Sequence, residues 1–160
     1  MADSIQIAME LVSQVRTFPQ SLVVLAGNRG SGKTRLAKML AAKGFGTYIN
    51  LSLTLSRYVM TGSSADGTWW ANHFIVRLLP SMGSEQPLIL DNIEAMFQPE
   101  LQLNALSWFL QTAREVPLVV VWPRTVLQGE FVYSTPNRPD YYHQRDLSVV
   151  VLNVTRNQYI

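Results

Sequence analysis

Eight consecutive residues, Gly27, Asn28, Arg29, Gly30, Ser31, Gly32, Lys33 and Thr34, restrict the fold of this chain more than any others. They spell G-x-x-x-x-G-K-T. The glycines permit backbone angles and close approaches that a Cβ would block. A loop of this kind folds around a phosphate group with its N–H groups turned inward. Lys33 supplies a positive charge for β- and γ-phosphates, and the Thr34 hydroxyl is placed to ligate Mg²⁺. A helix starting near Lys33 aims its positive end at the anion.

This is the Walker A, or P-loop, pattern, and its surroundings suit it. The run LVVLA at 22–26 is apolar and of strand length. Residues 35–43 carry apolar side chains at 36, 39 and 40 and no helix breaker, and Gly44 stops the helix. An ordinary glycine-rich β–α turn would share the glycines but leaves Lys33 and Thr34 unexplained. Gly27 to Thr34, with Arg35 beside them on the helix, are the expected nucleotide-binding residues.

The chain has 160 residues, enough for one domain with a full core. Hydrophobic residues make up 48% and charged ones only 15%, so some apolar surface is expected to meet a partner. A net charge of +2 without a basic run permits nucleic-acid contact but does not argue for it. Cysteine is absent, which excludes disulfides and thiolate metal sites. His73 and His143 are too far apart in sequence to make a metal motif. No apolar run approaches the roughly 18 residues of a membrane span, and the N-terminus lacks a signal-peptide pattern. A soluble cytoplasmic protein without a membrane partner is the default expectation.

Periodicity predicts a helix over 4–16, capped by Asp3 or Ser4, with Ile5, Ala8, Met9, Val12 and Val15 on one face. A second strand is expected over 47–52, a short helix over 53–60 and a loop over 61–67. A further helix is expected from about 68 to 79, closed by Pro80. The pair Trp69 and Trp70 invites a base-stacking reading, but Trp70 lies on the apolar face, which favours packing or a subunit contact.

The run PLILDNIE at 87–94 is an apolar strand ending in aspartate, the Walker B pattern. In register with a P-loop, such a strand brings its carboxylate to the sheet's C-terminal edge beside the nucleotide's Mg²⁺. Thr34 and Asp91 are therefore the expected metal ligands, and Lys33 and Asp91 lead the expected catalytic set. An aspartate–asparagine turn is the plainer alternative. In the AAA+ class of P-loop ATPases, a glutamate usually follows this aspartate and polarises the attacking water. Here Asn92 stands there, and an amide can orient water but cannot take its proton. Glu94 is the nearest carboxylate able to substitute.

Pro99 and Glu100 open a helix expected to run through about 114. The run LVVVW at 118–122 reads as a strand covered on both faces. Arg124 or Thr125, just after it, stands where AAA+ proteins carry a γ-phosphate sensor; a surface arginine is the alternative. Residues 125–146 are expected to be an irregular, ordered loop with a short extended piece at 129–133. Arg138 and Arg145 lie in the interval from which many AAA+ proteins present an arginine to a neighbouring subunit. A last strand is expected over 147–154.

These elements predict a single α/β domain over 1–160, an N-terminal helical segment over 1–18 and a P-loop NTPase core over 21–154. The core is a three-layer arrangement around a five-stranded parallel sheet, with no C-terminal helical lid. The segments GNRGSGKT, LILDNIEAMFQPELQL, VVVWP, FVYSTPNRPDYY and LSVVVLNV together resemble the BrxF family, small P-loop proteins of type 3 BREX bacteriophage-exclusion systems. The resemblance runs over nearly the whole chain. It implies a bacterial cytoplasmic protein that binds ATP and acts beside other phage-defence proteins. An ATPase or ATP-gated homo-oligomer with arginines in trans is the leading reading. A nucleotide-binding module with little hydrolysis and a small nucleotide or metabolite kinase are the rivals. The kinase would need an arginine-rich lid, and 125–146 holds only Arg138 and Arg145.

Overall fold

In a computed structural model, which describes residues 3–61, 73–82 and 85–155, the chain is built around a five-stranded, all-parallel sheet. Its strands are β1 (Leu22–Ala26), β2 (Thr47–Asn50), β3 (Leu88–Asp91), β4 (Leu118–Trp122) and β7 (Val150–Asn153), in the order β2-β3-β4-β1-β7. The register aligns Val23 with Val119 and Val150, and Asn50 with Asp91. β1, β3 and β4 are buried throughout, which is why they read as unbroken apolar runs rather than alternating ones.

Helices α1 (Ser4–Ser13) and α2 (Lys33–Ala42) cover one face, where Ile5, Ala8, Val12, Leu36 and Leu40 pack on Val23, Leu25, Ile89, Val119 and Val121. The opposite face carries α3 (Leu51–Thr61), α4 (Ala105–Thr112), the helical turns over 74–81 and a two-stranded antiparallel hairpin. The hairpin strands are β5 (Glu130–Tyr133) and β6 (Tyr142–Arg145). The result is the expected three-layer P-loop-like core.

Several boundaries differ from the sequence expectation, each for a local reason. Asp3 caps α1 by accepting from the Gln6 N–H, but the helix ends at Ser13 and tightens into a 3₁₀ turn at Val15–Thr17. β2 stops at Asn50 because that side chain accepts from the Leu53 N–H and so starts α3 directly. The expected helix over 99–114 is broken: Pro99–Leu101 forms a 3₁₀ turn and Gln102 takes φ 51. Asn104 then caps α4 through the Ser107 N–H. Pro80 does not close its helix, since a π-helical turn at Phe74–Leu78 continues into Leu79–Ser81. The last strand is shorter than expected. Trp69 and Trp70 lie outside the described residues.

The 125–146 segment is the largest correction, because it holds the hairpin rather than an irregular loop. Aromatic packing seats it: Phe131 is fully buried, and the Trp122 indole N–H donates to the Val132 carbonyl at 3.1 Å. The Tyr133 ring stacks on Phe97 with centroids 4.1 Å apart. The Tyr142 hydroxyl donates to Asn104 Oδ1 at 2.6 Å and accepts from the Leu106 N–H at 3.0 Å, joining the hairpin to the start of α4. Among the described residues, no helix is long and apolar enough to cross a membrane.

Candidate functional site

Chain direction fixes where a ligand can sit. From β1 the chain crosses to the β2 edge over the α2 face; from β4 it crosses β1 to reach β7 over the hairpin face. The two connections part in opposite senses, so the carboxyl ends of β1 and β4 border a crevice of the kind that binds ligands in parallel sheets. The 27–34 loop fills the β1 side of it. Asn28 Oδ1 accepts from the Thr125 N–H at 3.3 Å and ties the loop to the segment after β4.

The loop geometry explains its glycines. A Cβ on Gly27 would lie 2.8 Å from the Val154 carbonyl oxygen and collide with the Ser31 hydroxyl. Gly32 precedes α2 with φ 97 and offers no side-chain cap, so the first-turn N–H groups of α2 are left for another acceptor. Gly30 also has positive φ, at 82. The Lys33 ammonium folds back across the loop and donates to the Asn28 carbonyl at 3.0 Å. Burial lowers the Lys33 pKa, and the charges of Asp91 and Glu94 oppose that shift. Ser31 Oγ is buried without a hydrogen-bond partner.

A cleft of about 530 Å³ opens beside the loop, lined by Lys33, Thr34, Asp91, Asn92 and Glu94 among others. Asp91 closes β3 and is only 4% exposed. Its Oδ1 accepts from the Asn92 N–H at 2.8 Å and its Oδ2 from the Tyr48 hydroxyl at 2.7 Å. Burial, then the bond to and charge of Asp91, push the Tyr48 phenol well above its ordinary range. Asn92 adopts φ 55, and its carbonyl accepts from the Ser52 N–H and hydroxyl at 3.0 and 2.6 Å. Glu94 opens a 3₁₀ turn, Glu94–Phe97, and its Oε2 is buried with no partner. Burial, with Asp140 and Glu94, raises the Tyr133 phenol on the hairpin side of the cleft.

The fold thus brings Lys33, Thr34, Arg29, Asp91, Asn92 and Glu94 to one cleft. Asn28, Gly30 and Ser31 line a smaller hollow of about 320 Å³ with Thr125 and Val154. The remaining arginines stand apart. Arg35 and Arg124 are exposed and do not line the cleft. Arg138 lies 3.7 Å from Asp140 near the hairpin tip, and Arg145 lies 3.5 Å from Glu130, which also contacts His143. Sequence reasoning missed Tyr48, Lys38 and Tyr133, all of which line the cleft.

The donors present suit a phosphate with a hard cation: uncapped helix N–H groups and an ammonium for the anion, a hydroxyl and a carboxylate for the metal. No cluster of three or more His, Cys, Asp or Glu occurs among the described residues. A cation here would therefore complete its shell with ligand oxygens and water, as Mg²⁺ commonly does. No protein-family model matches the chain, and no curated protein matches it.

Proposed function

We propose that this chain binds ATP with Mg²⁺ and serves as an ATPase, or ATP-gated component, of a bacterial phage-defence assembly. One observation carries the reading. The G-x-x-x-x-G-K-T loop runs from a buried parallel strand into the uncapped start of α2, and its Lys33 and Thr34 share a cleft with the buried Asp91. The N–H groups at the start of α2 and the Lys33 ammonium hold the phosphate oxygens. Thr34 and Asp91 hold the cation. When bound, Mg²⁺ supplies positive charge that offsets the charge on the β- and γ-oxygens.

Glu94 is the proposed residue that orients and accepts from the attacking water, since its buried Oε2 has no partner and it lines the same cleft. Asn92 is committed elsewhere, because its side-chain amide donates to Asn50 Oδ1 at 3.0 Å. That commitment favours a second reading, a nucleotide-binding module with little hydrolysis. Self-association is proposed because Arg138 and Arg145 are exposed and do not reach their own chain's cleft, so a neighbouring copy would present one. The defence role and a cytoplasmic location rest on the BrxF resemblance.

The decisive experiment is binding of labelled ATP to wild type and to Lys33→Ala. Removing a charged phosphate contact from an otherwise intact loop is expected to lower affinity strongly. Equal binding by both proteins would overturn the assignment.

A further inference from the structure

We propose that Tyr48 is a positioning residue for the cation side of the cleft: its hydroxyl fixes the Asp91 carboxylate in the orientation from which Asp91 and Thr34 share one divalent cation. The proposal rests on the nucleotide reading above and names a residue that the motif does not contain.

Tyr48 and Asp91 lie on adjacent parallel strands. Asn50 pairs with Asp91, and Tyr48 stands two residues earlier on the same face of β2. The Tyr48 side chain is long enough to span this diagonal, as its hydrogen bond to Asp91 shows. The hydroxyl crosses it and donates to Asp91 Oδ2 at 2.7 Å, while the Asn92 N–H donates to Oδ1 at 2.8 Å. Each carboxylate oxygen has thus accepted one bond. An ionised carboxylate has about four acceptor sites, so each oxygen retains capacity for a cation or for cation-bound water. Both bonds fix the plane of the carboxylate; neither blocks it.

The ring has a second contact as well. Lys38 places Nζ 5.5 Å from the Tyr48 ring centroid. That distance is a cation–π contact. Lys38 is four residues after Thr34 on α2, hence on the same helix face. Thr34, α2, Lys38, Tyr48 and Asp91 therefore form one continuous path between the two candidate cation ligands. Groups that orient a metal ligand in this manner typically govern metal affinity by about 10–100-fold.

Phenylalanine at 48 keeps the ring and its contact with Lys38 and removes only the hydrogen bond. Binding of a fluorescent ATP analogue to wild type and Tyr48→Phe is measured in EDTA and across a MgCl₂ series. Affinity in EDTA is expected to stay within about twofold, while the MgCl₂ concentration giving half of the metal-dependent gain rises about tenfold or more. If wild type binds the analogue and both proteins show the same MgCl₂ dependence, the positioning role is overturned and the nucleotide reading stands. If Tyr48→Phe loses affinity equally in EDTA and MgCl₂, the cleft itself depends on the hydroxyl, which also overturns the proposal. A wild type that binds no analogue under either condition overturns both readings.

Discussion

The Asn92 side-chain amide donates to Asn50 Oδ1 at 3.0 Å, joining the end of β3 to the residue that caps α3. Position 92 is therefore a structural joint between two adjacent strand ends. Its φ of 55 is one that asparagine tolerates and longer side chains resist. Asn92→Glu is expected to lose the amide bond and to cost about 1–2 kcal/mol of stability. Turnover is not expected to rise, since Glu94 rather than residue 92 is the proposed group that accepts from water. Thermal unfolding and phosphate release measured on one preparation check both halves.

Glu94 presents the opposite case, a buried carboxylate oxygen without a partner. Glu94→Gln preserves its size and removes its charge. ATP binding is expected to survive within a few-fold, and turnover to fall by about 10²-fold or more, the usual scale of a lost general base. A Glu94→Gln protein that hydrolyses at the wild-type rate removes Glu94 from the chemistry.

Gly27 faces both the Ser31 side chain and fixed backbone, since an added Cβ would sit 2.5 Å from Ser31 Oγ and 2.8 Å from the Val154 carbonyl oxygen. Gly27→Ala is expected to cost about 1–3 kcal/mol, as overpacking of a tight site does. In a domain of this size that corresponds to a fall in Tm of roughly 2–12 °C. ATP affinity is expected to fall with it, because the same carbonyl supports the back of the loop.

Tyr142 gives a pH signature. Its burial pushes the phenol up to about 12. The folded value lies above the unfolded one of about 10, so this contribution is complete below pH 10 and is lost as pH rises toward 12. Tyr142→Phe also removes the bonds to Asn104 and Leu106, at a cost of about 1–2 kcal/mol near neutrality. The gap in stability between wild type and Tyr142→Phe is expected to narrow between pH 9 and 12. Urea unfolding across that range measures it.

What could be read in the residues beforehand was what local chemistry encodes. Lys33, Thr34 and Asp91 announce themselves through spacing and through the apolar runs before them, and β1, β3 and β4 showed as unbroken apolar runs. Tyr48 did not, because its meaning lies in a contact with a residue 43 positions away. The second hairpin strand did not either: Tyr142–Arg145 reads YHQR, is mostly exposed, and lacks an apolar alternation. The break before α4 was hidden because Gln102 shows no preference for the left-handed conformation it adopts. Strand order is likewise not written in any one strand, and it decides that β4 separates β1 from β3.

That order also sets a schedule for folding. β1 is flanked by residues 118–122 on one side and 150–153 on the other, so neither of its partners is close to it in sequence. Contacts of this span must close large loops before they return any free energy, which makes them slow to form. During synthesis the 27–34 segment leaves the ribosome before either partner of β1 and then waits. The Val154 carbonyl that backs Gly27 arrives more than a hundred residues later. Until then α2 has no completed sheet to pack on, and the apolar strand β1 keeps at least one open edge. A nascent chain of this protein is thus most exposed to mispairing at the very strand that leads into the 27–34 loop.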